Sequence, residues 1–160
     1  MSGDNWPQDI AELLGRCRTG FLATQGRDGP ESSMAPYALH DGGILLHLSN
    51  LARHTSNITA HATAGLMICT PETAMDSPLA LPRLSLQGCV TPVSSGEVKA
   101  ARQAYLHAIR DAEPLFGFAD FRLYRLDPDR IHWVGGFGRA CDIPQSAWKK
   151  VCANIATTQA

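Results

Sequence analysis

GRDGPESSMAPYALHDGGILLHL, residues 26–48, decides the architecture. Two turn signals bracket an extended run: Gly26-Arg27-Asp28-Gly29-Pro30 before it and Asp41-Gly42-Gly43 after it. Asp-Gly between apolar stretches supplies the positive φ angles of a tight hairpin turn. Glu31 to Leu39 and Ile44 to Leu48 therefore read as antiparallel neighbours. Working outward, Phe21 to Thr24 begins the strand series and Leu66 to Cys69 reads as a buried strand. Arg83 to Val93 alternates, with Leu84, Leu86 and Val90 on one side and Ser85 and Gln87 on the other. Gly88 within it predicts a bulge or a close backbone approach. Phe121 to Leu126 and Arg130 to Val134 give two more strands around Asp127-Pro128-Asp129.

Helical spacing is confined to four places. Pro7 precedes Ile10, Leu13, Leu14 and Cys17, at intervals of three and four, and Thr19-Gly20 ends that helix. Ser49-Asn50 offers cap chemistry for a short helix through Leu51, His54, Ile58 and His61. Val98, Ala101, Ala104, Tyr105, Ala108 and Ile109 form a third apolar face, and Ile143, Ala147, Val151 and Ile155 a fourth. Pro71 to Pro82 is a loop. About seven strands in tight hairpins and four helices predict a mainly β, α+β chain, a six- to seven-stranded antiparallel barrel with flanking helices. A doubly wound parallel sheet would need regular strand-helix alternation, which the first half lacks.

The 160 residues suit a single domain, 1–160. A net charge of -1 lacks the basic excess that nucleic-acid binding requires. No apolar run approaches the roughly 20 residues of a membrane span. The opening MSGDNWPQDI lacks the basic-then-apolar order of a secretory leader, so a cytoplasmic protein is expected. Cys17, Cys69, Cys89, Cys141 and Cys152 are odd in number and widely spaced, which argues against disulfide staples and structural zinc. No metal site is expected.

Three segments carry candidate chemistry. In Leu46 to Ile58 a strand ends at Ser49, and Arg53 and His54 follow in the first turns of a helix. Orphan N–H groups, a hydroxyl and a guanidinium there suit an anion such as phosphate. Equally, Ser49 is a plain cap and Arg53 and His54 a solvated face. In Ser32 to Tyr37, Pro36 makes the run an edge or a cavity wall, whose backbone groups can meet the rim of a planar ring. In His132 to Ala140, Gly135, Gly136 and Gly138 allow close backbone approach beside Trp133, Phe137 and Arg139. There is no nucleophile elbow, no histidine pair at zinc-ligand spacing and no paired acids, so the catalytic residues stay unassigned. A small-molecule cleft without a catalytic side-chain set points to reactivity carried by a bound cofactor.

Taken together, PYALHDGGILLHLSNLARHTSNI (36–58), RLSLQG (83–88) and DFRLYRLDPDRIHWVGGFGRA (120–140) resemble the pyridoxamine-phosphate-oxidase-like, FMN-binding split barrels. Within them the last segment is most similar to the HugZ-type branch, named for haem-degrading oxygenases. The resemblance implies a homodimer with FMN in clefts at the subunit interface. By position, Ser33, Met34, Ala35 and Pro36 would line the flavin edge, His47 and Ser49 the ribityl and phosphate, and Arg53, His54 and Asn57 the phosphate. Gln87 would point at the flavin, and Phe137, Gly138 and Arg139 would close the rim or come from the partner. Haem-degrading members typically carry a C-terminal extension, in the best-known type with a haem-ligating histidine, and here no histidine follows His132. The expectation is thus an FMN-dependent oxidoreductase acting on a small molecule, the alternative a non-catalytic FMN- or haem/tetrapyrrole-binding protein.

Overall fold

A computed structural model describes residues 5–158. Met1 to Asp4, part of the stretch read for a leader, and the last two residues lie outside them. The elements run α1 (Trp6–Arg16), β1 (Thr19–Gly26), β2 (Gly29–His40), β3 (Gly43–Ser49), α2 (Arg53–Ala60), β4 (Thr63–Cys69), β5 (Arg83–Pro92), α3 (Val98–Ala108), β6 (Phe121–Val134), β7 (Ala140–Asp142) and α4 (Gln145–Thr158). Strand order is β3-β2-β1-β4-β5-β6-β7, with every pair antiparallel. β3 also pairs with β6, so six strands close into a barrel and β7 hangs on β6 as a seventh.

The hairpins form where the turn chemistry puts them. His40 faces Gly43 across a two-residue loop in which Asp41 has φ 48° and Gly42 φ 76°. Both central residues are left-handed, the geometry that an Asp-Gly pair favours. The bulge is real too: the β5–β6 register slips between Gln87 and Gly88. A Cβ on Gly88 would lie 2.0 Å from the Asp127 carbonyl oxygen, so the backbones touch where the side chain is missing.

Two expectations need correction. The two strands expected around Asp127-Pro128-Asp129 are one continuous strand, β6, because Pro128 sits opposite Gly88 at the bulge. There the missing N–H interrupts no regular ladder bond. The seventh strand is instead the short β7. Likewise α2 begins at Arg53, since Ser49 spends its hydroxyl on a preceding turn, accepting the Leu51 N–H at 3.1 Å. Leu51 is left exposed.

Inside the barrel, Leu22, Ile44, Leu46, Leu66, Leu84 and Leu86 are buried, with Trp133 among them. One end is closed by α1 and α4, whose Ile10, Leu13, Leu14, Trp148, Val151 and Ile155 join the same core. Trp148 hydrogen-bonds the Gly42 carbonyl at 2.7 Å, tying α4 to the hairpin tip. β3 is buried on both faces, which a one-sided antiparallel strand is not. The outer side is covered by α3 and the 3₁₀ segment Arg110–Gly117, where Ala38, Leu45, Ala101, Tyr105, Ala112 and Leu123 make a second core. Among the described residues no such cover lies over the outer faces of β1, β4 and β5, where Phe21 and Met67 are exposed.

Candidate functional site

The structure distributes the candidate residues over four places. The first is where α2 meets β1 and β2. Ser33 and His54 lie 3.2 Å apart (Oγ to Nδ1), and Asn57 donates to Thr24 Oγ1 at 3.0 Å and to Glu31 Oε2 at 3.1 Å. Arg53 forms an ion pair with the same Glu31. Burial lowers the His54 pKa, disfavouring the charged ring in its contact with Ser33. The Glu31 carboxylate lies over Gly26, where a Cβ would come within 2.5 Å of Oε1. Glu31 was not among the sequence candidates. Its signal was its parity with Ser33 on β2, which turns both toward the helix carrying Arg53 and Asn57.

Ser49 and His47 occupy the second place, where β3 meets β6 and α3. Ser49 donates to Asp120 Oδ2 at 2.6 Å, and its carbonyl accepts from Thr55. His47 is buried beneath the α3 cover and stacks on Phe116, with ring centroids 3.9 Å apart and planes 10° from parallel. Tyr105 meets it edge-on and Phe121 at a tilt. Its Nδ1 has no hydrogen-bond partner. Burial, and then the nearby Arg102 charge, lower its pKa to about 4.

Third is the bare sheet face. Strand register aligns Met34, Phe21, Met67, Ser85, His132 and Asp142 in one row across β2, β1, β4, β5, β6 and β7. The next row holds Ser32, Ala23, Gly65, Gln87 and Arg130. Small residues in the middle leave an open groove of about 970 Å³, lined by Phe21, Met67, Gln87, Arg130 and His132 and reached by His61. Met34 and Pro36 are exposed on the same side of β2, whereas Ala35 is packed in the barrel core. At the groove's β7 edge, His132 Nδ1 lies 2.7 Å from Asp142 Oδ1. Among the described residues its Nε2 has no protein partner.

The fourth place is the turn between β6 and β7. Gly136 and Gly138 have φ 127° and 75°, conformations that suit glycine, and Arg139 donates to Asp9 of α1 at 2.6 Å. Phe137 is 86% exposed. Within one chain, then, Ser33, Arg53, His54 and Asn57 come together, Met34, Pro36 and Gln87 share the open face, and the remaining candidates lie elsewhere.

The arrangement also tests the phosphate seat. Arg53 and Asn57 are engaged by Glu31, and Ser49 by Asp120. Donors for an anion are present, but each already serves a carboxylate. A phosphate dianion here would have to share the corner with the Glu31 carboxylate, which repels it.

A closed antiparallel barrel capped by helices, with one bare sheet face, is the architecture of the FMN-binding, pyridoxamine-phosphate-oxidase-like split barrels. Within that class the chain belongs to the CREG beta-barrel family, whose sequence profile matches residues 22–150. It is 27% identical over 139 residues to the heme oxygenase HutZ of Vibrio cholerae, covering 84% of this chain and 79% of HutZ. It is 31% identical over 138 residues to the non-canonical heme oxygenase HOZ of Arabidopsis thaliana chloroplasts, covering 83% of this chain but 41% of HOZ. The solved structure of a heme-binding protein from Mycobacterium smegmatis superposes with a TM-score of 0.83 at 29% identity, over 94% of this chain and 62% of that one. The chain thus spans less than two thirds of the plant and mycobacterial relatives. Among the described residues, no helix is long and apolar enough to cross a membrane.

Proposed function

We propose that this protein binds haem in the groove on the bare sheet face, and that two copies of the chain meet across that face. The groove itself carries the reading. Five strands at about 4.8 Å spacing give a face about 19 Å wide, floored by the small residues Ala23, Gly65 and Ser85, with Phe21 and Met67 standing on it. Such a surface suits an apolar plane, and Arg130 and His61 at its margins suit carboxylate side arms. Exposed Phe21 and Met34, at 52% and 62%, favour a second copy as the cover. The relatives named for haem support the same ligand.

Haem binding is thereby preferred to the FMN-dependent oxidoreductase expected from the sequence resemblance, whose phosphate seat is taken by Glu31. Bound haem supplies an iron centre for O₂ chemistry. The protein's part is to give the ring a wall of small and apolar side chains and to limit water on one side of it.

Titration of the purified protein with hemin and, separately, with FMN tests the reading, with mass measured in solution before and after. Saturable growth of a Soret band, no saturable flavin uptake and a mass of two chains are expected. Hemin absorbance that rises linearly, as it does in buffer, overturns the haem assignment. A monomeric mass at micromolar concentration overturns the pairing of copies.

A further inference from the structure

We infer that His132 is the side chain that ligates the haem iron, with Asp142 as its positioning residue; this rests on the haem reading above. An iron-ligating imidazole needs a neutral ring with one nitrogen bare and the other held by an acceptor that fixes tautomer and orientation. His132 has the geometry for it in the groove. Asp142 Oδ1 lies 2.7 Å from Nδ1, so Nδ1–H donates to the carboxylate, and among the described residues Nε2 has no protein partner to displace. The side chain is 49% exposed, so a ligand can reach it.

The pair is built by the backbone. His132 and Asp142 are register partners on β6 and β7, which turns both side chains to the same face. β7 is held in place at both ends: the Ile143 N–H donates to the Ile131 carbonyl at 2.8 Å, and the Gly135 N–H to the Arg139 carbonyl at 2.8 Å. Arg139 in turn is fixed to Asp9. Asp142 thus reaches the ring from a strand only three residues long, whose pairing is what brings the carboxylate there.

The other five histidines lack this combination. His47 is buried beneath Phe116, and His54 faces Ser33 near Arg53. His40 lies beside Asp41 at the hairpin tip, and His107 is on α3, on the covered side. His61 reaches the groove, but among the described residues no carboxylate pairs with its ring.

The test uses the full chain, hemin as probe, and the variants His132→Ala, Asp142→Asn and His61→Ala. Wild type is expected to give histidine-ligated ferric and ferrous spectra, including an iron–histidine stretch in the ferrous resonance Raman spectrum. His132→Ala loses that stretch and regains a nitrogen-ligated spectrum when imidazole is added. Asp142→Asn keeps the ligand, lowers the iron–histidine frequency and weakens hemin binding about ten- to hundred-fold. His61→Ala keeps the iron–histidine stretch, even where losing a partner for a haem carboxylate weakens hemin binding. A His132→Ala spectrum identical to wild type overturns the assignment, as does transfer of the loss to His61→Ala, while either result leaves haem binding standing. Failure of wild type to bind hemin at all is a different outcome and removes the haem reading itself. Far-ultraviolet circular dichroism of each variant separates ligand loss from unfolding, and imidazole rescue does so independently.

Discussion

His47 makes acid stability of the α3 cover a quantitative test of the fold. Burial against Phe116, Tyr105 and Phe121, with Arg102 nearby, holds its pKa at about 4, against 6.5 in an unfolded chain. Arg102 itself pairs with Glu113 and lies over the Phe116 ring, so a fixed positive charge faces the imidazole at all relevant pH. Between pH 6.5 and 4 the unfolded chain binds a proton here that the folded chain refuses. Stability is then whole above 6.5 and is lost as the pH falls toward 4. At about 1.4 kcal/mol per pH unit, the interval caps the loss near 3 kcal/mol, and about 2 kcal/mol is expected between pH 7 and 4.5. His47→Phe keeps the ring stack and removes both the titration and the unpaired Nδ1. Urea unfolding of both proteins at the two pH values isolates the contribution, because the carboxylates titrate alike in each. The variant should lose about 2 kcal/mol less than wild type on acidification, and at pH 7 should be no less stable. Equal losses in the two proteins would refute the buried, neutral imidazole.

Four other substitutions probe three separate parts of the molecule. Gly88→Ala drives a methyl to 2.0 Å from the Asp127 carbonyl oxygen and 2.9 Å from Pro128 Cα, and should cost about 3 kcal/mol or more in urea unfolding. A cost under 1 kcal/mol would mean that the bulge relaxes freely. Glu31→Gln frees Arg53 and Asn57 from a carboxylate. It should make FMN uptake saturable in a fluorescence titration where wild type shows none, whereas Arg53→Ala, with a side chain 83% exposed, should change stability by under about 1 kcal/mol. Phe21→Asp sets a carboxylate between Met34 and Met67 and should convert a two-chain mass to one in light scattering.

What the sequence disclosed was local. Asp41-Gly42 and Gly88 announce their own geometry, since a positive φ or a missing Cβ is a property of the residue at that position. Pro128 misled because a proline that ends an isolated strand is harmless opposite a bulge, and only the partner strand reveals the bulge's place. β7 went unread for a related reason: three residues carry too little periodicity to signal a strand. With β7 hidden, the proximity of Asp142 to His132 was invisible, and a lone histidine looked unremarkable. At α2 the basic residues and Asn57 were legible as a group, but the acid that occupies them comes from β2, 22 residues before Arg53. Charges facing one another across strands and helices are facts of assembly, and one chain's spacing does not encode them.

Closure of the barrel has a consequence for how the chain is made. β3 is buried on both sides, and its edge away from β2 is satisfied only by β6, with Leu46 meeting Tyr124 and Leu48 meeting Arg122. A nascent chain on the ribosome therefore carries an unpaired, sticky ribbon, Ile44 to Leu48, until some seventy-five further residues have emerged. Such long-range pairing forms slowly, and naked strand edges recruit other copies. Over-expression in the cold, or with a chaperone that shields extended segments, is the condition under which this protein should reach the soluble fraction most fully.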